Sequence, residues 1–366
     1  MTVTNSLQEI RKKRKLSAAE LAQRVGVSRQ TIYAIEGGVF VPNTAVSLEL
    51  SRVLDVTVEE IFSLTEQQTG EPVKADLLPI VQVNQGQPVR LCRMQGRLVA
   101  VPATFMPGYL PAADGIIESR KNASVLVKSP VSLPAQGERL ILAGCDPALS
   151  LLQDALRPSA IEIVSVLAAS RLALDWLKQG KIHVAGSHLL DHATGNYNVP
   201  IIRRLLPKAS LRVITFAVWE QGLVVKRGNP KSIRSVADLA RNGVTIVNRE
   251  KGAGSRDLLD SSLRQLRIPF KRVKGYRSIA TGHLEAAYAV AAGHADCCIA
   301  SRSAARCFAL DFVPLAVERF DLSFTKACLE STVARALIDV LHRSDFRKKL
   351  QFIAGYDTTH TGEVLV

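Results

Sequence analysis

The chain has 366 residues, is 47% hydrophobic and 22% charged, and carries a formal net charge of +14. That length exceeds one average domain and leaves room for two or three. No apolar run reaches the length of a membrane span, and the N-terminus MTVTNSLQEIRKKRKL lacks the apolar core of a secretory signal. The cysteines, Cys92, Cys145, Cys297, Cys298, Cys307 and Cys328, form no CxxC pair and no Cys/His ligand spacing. Neither a zinc site nor a disulfide framework is expected from them, no metal is assigned, and a reducing cytoplasm is the expected compartment.

The first structured stretch is Ser17 to Gly38, SAAELAQRVGVSRQTIYAIEGG. Ser17 with Glu20 three residues on is a capping box, and Leu21, Ala22 and Val25 share one face of the helix it starts. Gly26 supplies a turn, Ser28 caps a second helix, and Ile32 and Ile35 point back to a core. The outer face keeps Arg29, Gln30, Thr31 and Tyr33, side chains that reach base edges and phosphates in a major groove. Residues 1–37 hold seven Lys/Arg against three Asp/Glu, whereas residues 1–75 balance at nine of each, so the whole positive surplus lies behind the head. A basic rear surface suits DNA or a small anion, and equally a solvated face.

With RKKRKLS before the motif and VPNTAVSLELSRVLDVTVEEIF after it, residues 6–64 resemble the helix-turn-helix of Cro and lambda-repressor-like (Xre-type) regulators. The resemblance implies an all-α head whose second motif helix reads double-stranded operator DNA. Arg29, Gln30, Thr31 and Tyr33 are then the base-contact candidates, and Arg14, Lys15 and Arg24 the phosphate contacts. Ala18 stands where many members have a polar phosphate-contacting residue. The head is placed at residues 1–66.

Residues 67–78, polar with a Gly and a Pro, read as a linker. Residues 79–138 alternate β-prone runs (PVRLC, RLVAVPA, SVLVK) with Gly, Pro and Asn, and read as a β-rich segment of unknown role. From Arg139 the period changes. RLILAG, IEIVSVLA and KIHVAGS read as strands, with helices from Pro147 to Leu156 and over SRLALDWLKQG. This order predicts a parallel sheet with crossovers. A second set follows: GVTIVN as a strand, GSRDLLDSSLRQL and HLEAAYAVAAG as helices, ADCCIAS as a strand. LRVITFAVWEQGLVVKRGNP and VPLAVERFDLSFTK read as extended crossings between two lobes, and the last forty residues as helices.

Two α/β lobes joined by extended crossings is the periplasmic-binding-protein architecture. GSHLLDHATGNYNVP, GLVVKRGNP and NREKGAGSR resemble the periplasmic-binding-protein-like domain related to molybdate-binding proteins, over about residues 139–325. The ligand-sensing domain is placed at 139–366. Its position behind a DNA-binding head implies a cytoplasmic sensor. Molybdate or tungstate is the effector this resemblance implies.

Ligands in such sheets bind beyond the carboxyl ends of strands. Asn248 to Arg256 is the first candidate. Gly252 and Gly254 let backbone N–H groups converge, Ser255 adds a hydroxyl, a helix starts there, and Arg249 and Arg256 supply forked donors for an anion. Ser187 and His188 follow a strand in the first lobe. Thr281 and His283 start another helix, and Thr281 joins the ligand-binding set. Asp146 opposes a pure anion cleft. Tyr197 and Asn198 read as loop-fixing groups, and Cys297 and Cys298 as packing residues. No GxSxG, HExxH or P-loop is present, no catalytic residue or cofactor is assigned, and no poised acid or base stands out. The reading is a ligand-responsive regulator, a homodimer on DNA with a small anionic effector and no membrane. Its rivals are a sensor of an organic acid or sulfur oxyanion, an enzyme acting on an anionic substrate on the same fold, and a rear half that only dimerises.

Overall fold

The structure, a computed structural model, describes residues 2–65, 72–79, 83–103, 110–130, 139–206 and 211–366. It holds two compact units, a head over residues 1–73 and a rear unit with most of residues 74–366. No described helix is long and apolar enough to cross a membrane.

The head runs β1 (Thr2–Asn5), α1 (Leu7–Lys13), α2 (Ala18–Val25), α3 (Arg29–Glu36), α4 (Thr44–Leu54), α5 (Val58–Ile61) and β2 (Phe62–Thr65). Local chemistry starts each helix of the motif. The Ser17–Glu20 box caps α2, Ser28 accepts from the Thr31 N–H at the start of α3, and a second box, Thr57–Glu60, caps α5. Gly26 takes the left-handed turn between α2 and α3 at φ 76°. Leu7, Leu21, Ile32, Ile35, Leu50 and Leu54 meet in one core. Arg11 and Glu36 form an ion pair at 2.5 Å under its edge, and the Glu36 hydrogen bond and charge hold the Arg11 pKa above its ordinary value despite burial. Strands β1 and β2 pair antiparallel and tie the two ends of the head together, a pairing that no periodicity in these short runs announces.

Next in the chain, β3 (Val73–Leu77), β4 (Pro88–Met94), β5 (Arg97–Pro102), β6 (Gly115–Lys121) and β7 (Ser124–Lys128) close into a small barrel in the order β3-β5-β4-β6-β7. Gln95 and Gly96, both at positive φ, make the two-residue turn between β4 and β5. The linker expectation for 67–78 is corrected in its second half. Val73–Leu77 alternates exposed and buried side chains and is a barrel strand, whereas residues 66–71 lie outside the described set. Inner residues Cys92, Met94, Val99 and Val101 share a core with the sheet that follows. Arg139 bridges the two, binding Asp114 of the barrel at 2.7 Å and Glu162 at 2.7 Å, and Arg90 joins the same pair of acids. Burial would raise the Asp114 pKa, but the two arginines and the Leu91 N–H hold it below the usual range.

The α/β part runs β8 (Arg139–Gly144), α6 (Leu149–Leu156), β9 (Glu162–Leu167), α7 (Ser170–Lys178), β10 (Val184–Ser187), β11 (Leu190–Asp191), β12 (Asn196–Tyr197), α8 (Val199–Leu205) and β13 (Leu211–Val225). It continues with β14 (Asn248–Arg249), α9 (Gly254–Gln265), β15 (Ile279–Ala280), α10 (Gly282–Ala291), β16 (Cys297–Ser301), α11 (Arg302–Cys307), β17 (Asp311–Thr325), α12 (Lys326–Leu329), α13 (Thr332–His342) and α14 (Ser344–Lys349). The two expected crossings are β13 and β17, fifteen residues each and paired antiparallel along their length. One end of this ribbon carries β10, β8 and β9, and the other carries β16, giving the order β16-β13-β17-β10-β8-β9. Each lobe packs apolar side chains on both faces of its part of the sheet. The expected strand GVTIVN is shorter than its apolar run suggests: Ile246 makes one bridge to Cys297, and only Asn248 and Arg249 form a strand, against β15.

The register of the ribbon slips at Thr215/Ala217 and at Gln221/Gly222, and such bulges bend and twist a strand. At the second slip a Cβ on Gly222 would lie 2.2 Å from the Val313 carbonyl oxygen. Gly222→Ala is therefore expected to destabilise the rear unit by about 3 kcal/mol, read as a lower Tm in calorimetry; an unchanged Tm would show that the ribbon does not need this close approach.

Candidate functional site

Four segments that are far apart in the chain converge between the lobes. Strand β8 ends at Gly144 and delivers Cys145 and Asp146. Strand β10 delivers Ser187 and His188. β14 and the turn after it deliver Arg249 and the start of α9, and the first turn of α10 delivers His283. All six named side chains are buried. Cys145 Sγ lies 3.2 Å from His188 Nε2 and 3.7 Å from His283 Nε2. His188 Nδ1 lies 2.6 Å from Glu318 Oε2 on β17. The indole of Trp219 packs against both imidazoles, tilted to His188 and edge-on to His283, at centroid distances of 5.0 and 5.3 Å.

Cys145, His188 and His283 place their ligand-type atoms within 4.8 Å of one another. Sequence spacing could not show this cluster, because spacing rules see only neighbours in the chain and these residues lie 43 and 138 positions from Cys145. The protons decide what the cluster does. The Ser301 backbone N–H donates to His283 Nδ1, so the neutral ring carries its proton on Nε2, toward the sulfur. Burial, with the Arg249 and His188 charges, pushes the His283 pKa well below its usual value and keeps that ring neutral. Burial also disfavours charge on His188, but Cys145 and Glu318 outweigh it and raise this imidazole to about 10. Its Nδ1–H then donates to Glu318 and its Nε2–H to Cys145. The sulfur thus accepts from two N–H groups, an arrangement that leaves His283 no lone pair for a metal ion.

Arg249 completes the electrostatics. Its Nε and Nη2 donate to Glu250 at 2.9 and 3.1 Å, while Nη1 is buried without a hydrogen-bond partner. Burial would lower its pKa; Glu250 and the nearby Cys145 raise it, so it stays a guanidinium. Ser187 Oγ, Ser255 Oγ, Trp219 Nε1 and both amide atoms of Gln221 are also buried without partners, as are the Thr215 and Ser323 hydroxyls on the central strands. An unmet buried polar group costs about 1–3 kcal/mol, which makes the set of them near the lobe junction a candidate ligand site.

The remaining candidates take supporting places. Gly254 abuts His188, where a Cβ would lie 2.5 Å from Nδ1, so the start of α9 closes directly over the imidazole. Gly252 turns at φ 86° against Arg171. Asn248 accepts from the Arg249 N–H and donates to Tyr276 O, which fixes the strand. The expectation that Arg256 offers a free fork is corrected: it pairs with Asp260, lies over the Tyr276 ring at 4.2 Å and donates to Arg249 O. Thr281 is likewise corrected. It is exposed at the outer start of α10, its N–H donating to Glu285, and the left-handed Gly282 swings the chain inward only at His283. Tyr197 and Asn198 bond to Val317 O and Asp321 and fix their loop. Asp146 is buried and pairs with no arginine among the described residues. Its Oδ1 accepts from Ala148 N–H and the Tyr356 hydroxyl, and Oδ2 is unpartnered. Tyr356, from the C-terminal segment, was invisible as a site residue in sequence.

In the head, Arg14, Lys15, Arg24, Arg29 and Gln30 are exposed, and Tyr33 is half-exposed with its hydroxyl accepting from Arg29. Thr31 shares a hydrogen bond with Ser28 at the start of α3. Ala18 is buried and packs in the core.

Comparison with known proteins places these two parts. A PBP superfamily domain model matches residues 153–342, just over half of the chain, and a helix-turn-helix model matches residues 7–61. The chain is 37% identical over 188 residues to the uncharacterized protein YvgK of Bacillus subtilis, covering 51% of this chain and 60% of that protein. It is 32% identical to an uncharacterized protein of Clostridium pasteurianum over 109 residues, 30% of this chain and 96% of that one. The head is 35% identical over 65 residues to an uncharacterized HTH-type transcriptional regulator of Archaeoglobus fulgidus, 18% of this chain and 92% of that one.

Burial pushes the Asp146 carboxyl up to about 6 against the Ala148 and Tyr356 hydrogen bonds. A carboxyl whose folded pKa is raised contributes stability below its unfolded pKa, and that contribution is lost as pH rises through 6. Asp146→Asn is expected to remove this slope, gaining about 3 kcal/mol relative to the parent at pH 8 and little at pH 4. Tm measured across that range checks it, and parallel Tm curves for parent and variant would refute it.

Proposed function

We propose a function from one premise: the chain belongs to the PBP superfamily, and a helix-turn-helix domain precedes its PBP domain. The protein is a ligand-responsive transcription regulator. The head binds double-stranded operator DNA as a homodimer on paired half-sites, with α3 in the major groove and Arg29, Gln30 and Tyr33 toward base edges. Arg14, Lys15 and Arg24 contact phosphates.

The effector is a small anion held between the rear lobes. One observation carries this reading: a fully buried guanidinium with Nη1 unpartnered, together with the unpartnered, buried hydroxyls of Ser187 and Ser255. The first turn of α9 adds backbone N–H groups and the positive end of its dipole. Molybdate and tungstate are the first anions to test, from the sequence resemblance, followed by sulfate and small carboxylates. Anion binding acts on the head only through its preference for one lobe arrangement over the other.

Two experiments test the two ends. The full-length protein is melted with each anion, and a ligand that binds only the folded state raises Tm by mass action. Arg249→Gln is expected to lower affinity by at least about tenfold, seen as loss of the Tm rise at concentrations that saturate the parent. A full Tm rise in this variant would place the anion elsewhere. Separately, operator duplexes are selected from random sequence. Arg29→Ala with Gln30→Ala is expected to lose selectivity by about 1–3 kcal/mol per base contact while keeping the anion-induced Tm rise. Equal loss of both properties would mean misfolding.

A further inference from the structure

The proton inventory around Cys145 has a chemical consequence beyond anion binding. A sulfur, an imidazole within 3.2 Å and a carboxylate 2.6 Å behind that imidazole make the series nucleophile, proton carrier and orienting group. His283 donates to the same sulfur from the other side, and the unpartnered, buried Nη1 of Arg249 belongs to a guanidinium close enough to sense that sulfur. The expectation that no poised acid or base stands out is therefore corrected. The three parts lie on β17 and just after β8 and β10, and only the sheet order brings them together.

We propose that Cys145 is a nucleophile that forms a covalent adduct with a small electrophilic carboxylate, of the 2-oxo acid class, whose carboxylate is held by Arg249 and Ser255. The proposal rests on the anion reading of the same pocket and narrows it. The Cys145 sulfur adds to the carbonyl carbon, forming a C–S bond while the proton between it and His188 Nε2 stays on the ring. The C=O π pair moves to oxygen, and the Nε2–H of His188 supplies the proton, leaving a neutral imidazole that keeps its Nδ1–H on Glu318. The reverse sequence releases the ligand, so the adduct is reversible and needs no further reagent. His188, His283 and Glu318 position the sulfur and the proton.

The test compares two alkylating reagents on the full-length protein at neutral pH. With iodoacetate and with iodoacetamide the sulfur forms the same C–S bond and iodide leaves with its electron pair, but only iodoacetate carries the carboxylate. Peptide mass spectrometry reads the rate at each cysteine, and Cys307, which is exposed, is the internal reference. Iodoacetate is expected to modify Cys145 at least about tenfold faster than iodoacetamide, with no such preference at Cys307. Glyoxylate is expected to slow modification of Cys145, and acetate at the same concentration to do so far less. Ser255→Ala is expected to reduce the preference, and Arg249→Gln to abolish it. If Cys145 stays unmodified while Cys307 reacts fully, or prefers iodoacetamide, the proposal is overturned, and a Tm rise with oxyanions in that protein would leave the anion pocket standing without a nucleophile. Equal protection by acetate and glyoxylate would overturn the covalent step, leaving charge recognition alone. An iodoacetate preference with no oxyanion-induced Tm rise would support the nucleophile and remove the inorganic effectors.

Discussion

The hydrogen bond between Glu318 and His188, 2.6 Å long and shielded from water, sets the chemistry of the rear unit. A buried carboxylate is costly unless a charged partner meets it, and a buried imidazolium is costly for the same reason. Together they are tolerated, and their pairing aims His188 Nε2–H at Cys145. Trp219 and Phe320 flank the ring, and Gly254 lets the start of α9 lie against it. The two central strands therefore do more than connect the lobes. β17 carries Glu318 and β13 carries Trp219, so the ribbon that joins the lobes also supplies side chains to the cluster.

Seen this way, the unpartnered buried atoms of Arg249, Ser187, Ser255 and Gln221 are a reserve rather than a defect. Each is held at an energetic cost by a backbone that has other reasons to be where it is: Ser255 by the helix start, Ser187 by the edge of a strand, Gln221 by its place beside Ser301. Arg256 and Asn248 hold the Arg249 backbone through Arg249 O and the Arg249 N–H. This is preorganisation, in which the ligand meets donors that have already been ordered. Because the donors come from both lobes, a ligand that satisfies them stabilises one lobe arrangement, and the ribbon's two register slips mark where the strands bend between the lobes.

Much of the fold was legible because it rests on local rules. Capping boxes at Ser17–Glu20 and the cap at Ser28 act within three residues, so they read directly from the chain and bracket α2 and α3 where expected. The same holds for β8, β9 and β10 with their helices, whose apolar runs and turns are contiguous. The barrel was only partly legible. Its β-prone texture was visible, but closure and the assignment of Val73–Leu77 depend on pairing between strands that are separated in sequence.

The sequence by itself determined the kind of head, the two-lobed rear and the glycine-rich turn with Arg249, since each is written in neighbouring residues. Only the tertiary structure decided which polar groups meet. It withdrew Arg256 to Asp260 and left Thr281 on the surface. It also joined Cys145, His188, His283 and Glu318 from four places in the chain. The physical reason is that a hydrogen bond or a proton's position depends on distances of a few tenths of an ångström. Those distances are set by strand order and packing, and residue spacing along the chain does not contain them.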